Sequence, residues 1–186
     1  MAPFEYLLVL ASVILGLAVA ELAIGLNRLL RAPGARWDWL APLAAALAFL
    51  KIVTQWWSWH AAAGYAGALT FEMFLAVLVG ATLLFLLAAA PLPEPGDEAT
   101  DLRAHWHQVS PRFWTLFALH WALATATSLW VQVALMHARL SLLSPVFLVL
   151  PAAVALIFVR ARWAQALGLI GFSLIYLAQY FGHSLS

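Results

Sequence analysis

The sequence predicts an all-α membrane protein, a single domain built as a bundle of six transmembrane helices. The chain has 186 residues, of which 66% are apolar, and this supplies about 20 apolar residues for each of six helices that cross a bilayer. Charged residues make up only 9%, against about 25% in an ordinary soluble domain. The polar segments between the apolar stretches are short, so we expect any function to lie inside the bilayer or at its rim.

Six apolar stretches have about the length that a bilayer requires. They fall at residues 4–28, 39–60, 69–91, 113–137, 141–159 and 163–183. Pro33 and Gly34 mark a tight turn after the first span. The largest polar segment, 92–112, is predicted to be a cytoplasmic loop that leads into a short interfacial helix, with Trp106 at the level of the headgroups.

Basic residues predict the orientation. The loops after spans one, three and five contain seven arginines, whereas the opposite loops contain only Arg139. The positive-inside rule then places both termini outside the cytoplasm, in a protein that crosses the membrane several times. The seven are Arg28, Arg31, Arg36, Arg103, Arg112, Arg160 and Arg162.

Net charge and cysteine content exclude several classes of function. The formal net charge is +1 without a basic run, which argues against nucleic acid as a partner. The chain has no cysteine, so it has no disulfide, no thiolate metal site and no cysteine nucleophile. No catalytic residue is predicted.

Polar side chains follow one face of several spans, and such faces point away from lipid. Span six has the longest stripe, and spans two and four have shorter ones, whereas spans three and five are almost free of polar residues. We therefore predict that helices 1, 2, 4 and 6 form a polar-lined interior and that helices 3 and 5 face lipid. The span-six stripe comprises Gln165, Gly168, Phe172, Tyr176, Gln179 and His183.

Ionisable residues within the spans are costly and therefore mark candidate functional sites. Glu21 lies roughly 10 Å from Arg28 along helix 1, and Lys51 lies near the bilayer centre. A structural ion pair, a snorkelled lysine, a proton or ion pathway and a chemically special lysine, such as one that forms a Schiff base, are all open interpretations. The predicted transport pathway comprises Glu21, Lys51, Gln55, His120, Gln132, Tyr176 and Gln179.

A second group of ionisable residues is predicted at the extracytoplasmic ends of five helices. Imidazole and carboxylate groups at one depth could hold a divalent metal, and facing histidines could hold a haem iron. Helix ends near headgroups also let polar residues reach water, which is the structural alternative. The candidate ligands are Glu5, His60, Glu72, His137 and His183.

Several short motifs resemble those of a group of small, uncharacterised bacterial inner-membrane proteins. They are Phe4-Glu5-Tyr6, Ser12-Val-Ile-Leu-Gly16-Leu, Trp39-Leu-Ala-Pro-Leu43, Gln55-Trp56-Trp57 and Asp101-Leu-Arg103, which together cover most of the first 115 residues. The resemblance implies six helices in a bacterial plasma membrane, and it brings no activity with it.

Three classes of function follow from these patterns. The first is a channel or carrier for a proton, ion or small solute through a polar core between helices 1, 2, 4 and 6. The second is a non-catalytic membrane partner or assembly subunit, which would associate with itself or with another membrane protein. The third is a metal- or haem-binding redox or hydrolytic protein with its site at the extracytoplasmic face.

Overall fold

The computed structural model describes residues 3–61, 70–93, 101–134 and 146–180. Within these ranges every regular element is an α-helix, so the all-α prediction is confirmed. The helices are α1 (Pro3–Arg31), α2 (Leu40–Ala61), α3 (Phe71–Ala89), α4 (Leu102–Ala134), α5 (Val146–Phe158) and α6 (Arg162–Tyr180).

Within the described ranges three helices are long and apolar enough to cross a membrane, and the chain therefore has the character of a membrane protein. Their qualifying segments are Tyr6–Arg31, Leu40–His60 and Phe71–Ala89. A shorter apolar helix covers Leu148–Phe158.

Short polar residues and breakers set the helix boundaries. α1 ends at Arg31, and Gly34 follows with a φ of 73°, a conformation that favours glycine. Asp38 accepts a hydrogen bond from the Leu40 backbone N–H at the start of α2. Asp101 accepts two such bonds at the start of α4. Each carboxylate therefore satisfies backbone donors that the first helical turn leaves unpaired.

The loop with a short interfacial helix predicted over 92–112 is described only in part, and its residues 102–112 are the first turns of α4. This helix has 33 residues with Pro111 inside it, so it is about 50 Å long and exceeds the thickness of a bilayer core. Trp106 in this segment is buried rather than placed at an exposed rim. Its ring lies edge-on to Phe113, with 5.5 Å between centroids.

The helices form a ring in the order α1, α3, α4, α5, α6 and α2, in which each contacts the next and α2 closes the ring against α1. α2 also contacts α3 and α4, so it lies nearest the centre. The core is mainly leucine, alanine and aromatic side chains.

This order differs from the predicted division into inner and outer helices. Among the described residues α1 contacts α2 and α3 but neither α4 nor α6, whereas α3, predicted to face lipid, packs between α1 and α4. Small residues explain the difference, because Gly80, Ala81 and Ala88 let α3 approach its neighbours closely without any polar side chain. α5 lies between α4 and α6 and exposes Leu148 and Phe158.

The described residues directly before and at the starts of α2, α4 and α6 meet at one end of the bundle. The backbone N–H of Leu102 donates to the carbonyl of Arg36 at 3.1 Å, which joins the segment before α2 to the start of α4. Arg36 also forms a loose ion pair with Asp101 at 3.9 Å. Asp38 pairs with Arg162 at the start of α6. Consecutive helices therefore run in alternating directions.

Candidate functional site around Lys51

Lys51 is the only lysine in the chain, and it lies in the middle of α2 with 5% of its surface exposed. Its ammonium donates a hydrogen bond to Oε1 of Gln55, one turn further along, at 3.3 Å. No carboxylate among the described residues is in salt-bridge contact with it. The lysine is therefore held by an amide oxygen and not by an ion pair.

Two aromatic rings enclose the ammonium of Lys51. Its Nζ atom is 5.1 Å from the ring centroid of Trp121 in α4 and 5.1 Å from that of Tyr176 in α6. The two rings also pack edge to face, with 5.8 Å between centroids. The negative faces of aromatic rings attract a cation, and each contact contributes about 0.5 to 2 kcal/mol, with the larger value when water is excluded. Three helices thus meet at one lysine.

His120 precedes Trp121 in α4, and only 2% of its surface is exposed. Its Nδ1 atom is buried and has no hydrogen-bond partner among the described residues. Gly80 in α3 lies next to the ring, since a Cβ at that position would be in ordinary van der Waals contact with Nε2 of His120 at 4.0 Å and with the ring of Trp59 at 3.6 Å.

The hydroxyl groups near Lys51 are used locally. Thr54 donates to the carbonyls of Leu50 and Lys51, and Ser58 donates to the carbonyl of Thr54. Through such bonds the hydroxyl group donates its proton within its own helix. We define the central site as Lys51 and the residues around it, which are Gln55, His120, Trp121 and Tyr176.

The other residues of the predicted pathway lie elsewhere. Glu21 is half-buried in a groove of about 70 Å³ between α1 and α3, together with Gly25 and Arg28. It is not in salt-bridge contact with Lys51 within the described part of the chain, and the other residues that line its groove belong to α1, to α3 and to the segment directly after α3. Gln179 is exposed on α6. The side chain of Gln132 lies outside the described residues.

The structure describes the side chains of only two of the five candidate ligands of the predicted metal or haem site. His60 is exposed and stacks on Trp56, with 5.4 Å between centroids, and Glu72 is exposed in the first turn of α3. The side chain of Glu5, and His137 and His183 altogether, lie outside the described residues. Within those described, no group of three or more histidine or acidic residues could hold a metal. The metal site stays a prediction.

Gln165, part of the predicted span-six stripe, joins three helices. Its Nε2 donates to the carbonyls of Leu156 and Val159 at 3.0 and 2.6 Å, and its Oε1 accepts from Nε1 of Trp114. The two carbonyls belong to the end of α5, where the helix itself supplies no donor. Gln165 therefore has a structural role and is not part of the central site.

His105, near the start of α4, is half-buried, and burial lowers the pKa of its imidazole below the ordinary value. Hydrogen bonding with the backbone of Ala90 and Pro91 opposes this shift in part. At the neighbouring start of α4, hydrogen bonds from backbone amides and the charge of Arg36 lower the pKa of the Asp101 carboxyl.

Trp121 is the site residue that the sequence analysis missed. A tryptophan in an apolar stretch is as typical of a lipid-facing surface as of a core, so its type alone gave no indication. The available signal was its place next to His120, near the middle of span four.

No protein-family model matches the chain, and no functionally characterised protein or solved structure is detectably similar to it. The fold and the site define an α-helical protein of membrane character with an enclosed lysine.

Proposed function

We propose that the protein is a six-span carrier of the bacterial plasma membrane, with both termini extracytoplasmic, and that it moves protons by means of Lys51. The proposal includes the predicted resemblance to small bacterial inner-membrane proteins. The observation that carries it is the buried lysine held between Gln55 and two aromatic rings without a carboxylate among the described residues.

The orientation is supported by the arrangement of the loops. The segments before α2, α4 and α6 are joined at one end by Asp38, Arg162, Arg36 and Asp101. The same end has six of the chain's arginines within or next to these loops and a seventh, Arg112, further along α4. Arginine-rich ends face the cytoplasm in most bacterial membrane proteins.

A proton suits this site better than a larger solute. An amine can gain or lose a proton without any movement of the groups around it, whereas an ion or organic solute would need room between the rings of Trp121 and Tyr176. Those rings lie directly against the ammonium. Ionisable groups are retained inside membranes chiefly on proton and ion pathways.

Each neighbour has a part in the proposed carrier. Gln55 orients the amine, His120 is a second group that can accept a proton, and the two rings close the site from α4 and α6. Gln179 lies three residues beyond Tyr176 on α6, and together with Gln132 it would belong to the extracytoplasmic exit. Glu21 has no part in the central step, because it lies between α1 and α3.

Two substitutions of Lys51 separate proton exchange from a structural role. Lys51→Arg keeps a cation between the rings, but arginine does not release its proton in proteins. Lys51→Met keeps the apolar stem and removes the charge. In proteoliposomes with a pH-sensitive dye and an imposed membrane potential, we expect both variants to lose at least about tenfold in proton flux.

Glu21→Gln is the matched control, because it removes another ionisable group of the membrane segments away from the central site. Its flux should equal that of the unmodified protein. Normal flux in Lys51→Arg would contradict proton exchange at the amine, and flux lost only in Glu21→Gln would move the pathway to the groove between α1 and α3. Size-exclusion elution and helical circular dichroism establish that each variant is folded.

A second candidate function, a membrane partner or assembly subunit, is favoured by the place of Glu21. The half-buried carboxylate lies in the open groove beside Gly25, and no cationic group among the described residues is in salt-bridge contact with it. A carboxylate at this depth is costly unless another group reaches it. A second copy of the chain or another membrane protein would supply that group.

Cross-linking at native abundance tests this candidate. If the groove is an interface, a cross-linker placed at the neighbouring exposed residue Ile24 should give a dimer or a mixed adduct, and Glu21→Leu should reduce the yield. If both the unmodified protein and Glu21→Leu give only monomer after cross-linking, the protein is not a partner or assembly subunit that associates through this groove.

A further inference from the structure

An exposed surface is built where α2 and α6 begin. Asp38 and Arg162 pair there, with 4% of the aspartate side chain and 41% of the arginine side chain exposed. Asp38 also accepts the Leu40 backbone N–H at 2.9 Å. This double use of one carboxylate fixes the segment before α2 against the first turn of α6.

Three tryptophans flank this ion pair in sequence and are exposed. Trp37 and Trp39 lie on either side of Asp38, with 57% and 50% of their surfaces exposed, and Trp163 follows Arg162 with 69% exposed. Tryptophan rings with apolar bodies and a polar N–H are typical of the headgroup level of a membrane. The ion pair brings the two tryptophan-bearing segments together.

Two further arginines give this surface its positive charge. Arg36 precedes Trp37, and its side chain is 82% exposed, with only a loose contact to Asp101 at 3.9 Å. Arg160, two residues before Arg162, is exposed and has no carboxylate in salt-bridge contact within the described part of the chain. We call Trp37, Trp39, Trp163, Arg36 and Arg160 the Trp–Arg surface.

We infer that the Trp–Arg surface binds an anionic phospholipid, with the phosphate against Arg36 and Arg160 and the glycerol and upper chains against the tryptophan rings. A guanidinium forms two parallel hydrogen bonds with a phosphate. Anionic lipids are attracted by about 1 kcal/mol per basic residue near the membrane surface, or about fivefold in affinity for each arginine.

Quenching of tryptophan fluorescence by lipids with brominated chains tests the inference on the purified full-length protein. We expect phosphatidylglycerol to bind more tightly than phosphatidylcholine with the same chains. Arg36→Gln with Arg160→Gln should reduce this preference by about 25-fold, because two arginine contacts are lost. Arg36→Lys with Arg160→Lys retains the charge and should retain most of the preference.

Arg28→Gln is the matched control, since it removes one arginine from the same end but from the groove between α1 and α3. Its preference should be unchanged. The inference would be overturned if the two lipids bound equally well. It would also be overturned if Arg28→Gln reduced the preference for phosphatidylglycerol as much as the double glutamine variant does, or if the double glutamine variant kept the full preference. Displacement of the lipid by millimolar inorganic phosphate would show that the surface recognises free phosphate instead.

Discussion

Gln165→Leu is expected to destabilise the protein strongly, although leucine has nearly the same volume and suits a membrane. Gln165 is 2% exposed and makes three hydrogen bonds, two to carbonyls of α5 and its end and one from Trp114. Interhelical hydrogen bonds in membrane proteins contribute about 0.6 kcal/mol on average and up to about 1.7 kcal/mol. Three of them give an expected loss of about 2 to 5 kcal/mol.

Titration of detergent-solubilised protein with a denaturing detergent, followed by circular dichroism, measures this loss. Gln179→Leu is the matched control, because Gln179 is in the same helix but exposed, and it should change the free energy of unfolding by less than about 0.5 kcal/mol. The reasoning is refuted if Gln165→Leu unfolds within about 0.5 kcal/mol of the unmodified protein, since buried donors and acceptors left unpaired cost more than that.

The remaining predictions concern packing, capping and pH. Gly168→Ala should cost about 1 kcal/mol or less in the same titration, because the end of the Leu156 side chain must shift to admit the new methyl group while alanine favours the helix, whereas Gly171→Ala meets open space and should be neutral or stabilising. Asp38→Ala should cost about 1 to 3 kcal/mol, since it removes the cap of α2 and the partner of a half-exposed arginine. The lowered pKa of His105 gives stability that is present above about pH 6.5 and lost as the pH falls through the folded-state value. Melting temperatures from pH 7.5 to 5.5 should therefore decline, and His105→Gln should flatten the decline.

Parts of the central site could be predicted because a polar pattern in a membrane is informative. The spacing of Lys51 and Gln55 predicts two side chains on one helical face, and the structure joins them with a hydrogen bond. Tyr176 was selected by the same periodicity in span six, and it lies against Lys51. A polar side chain in an apolar span needs a partner, so its position carries information about the interior.

The place of α1 and α3 could not be predicted by that rule. Glu21 suggested that α1 faces the interior, but a carboxylate gives the same signal in an open groove. α3 reaches its neighbours through Gly80 and Ala81, and small apolar residues are as common on a lipid-facing surface as at a helix contact. Polarity identifies a face that avoids lipid, and it does not identify what that face contacts.

Lys51→Met separates a structural role of this residue from a role in proton exchange. If the lysine is a structural cation, its removal takes away the contacts to two rings and to Gln55, and the free energy of unfolding should fall by about 1 to 4 kcal/mol. If the lysine is kept for proton exchange, its burial is a cost to the fold, and a methionine of similar length should leave stability unchanged or raise it. We expect the second result, together with the loss of proton flux. If Lys51→Met unfolds more easily and still transports protons normally, Lys51 has only a structural role. A lysine that only packs against its neighbours can be removed without any effect on proton flux.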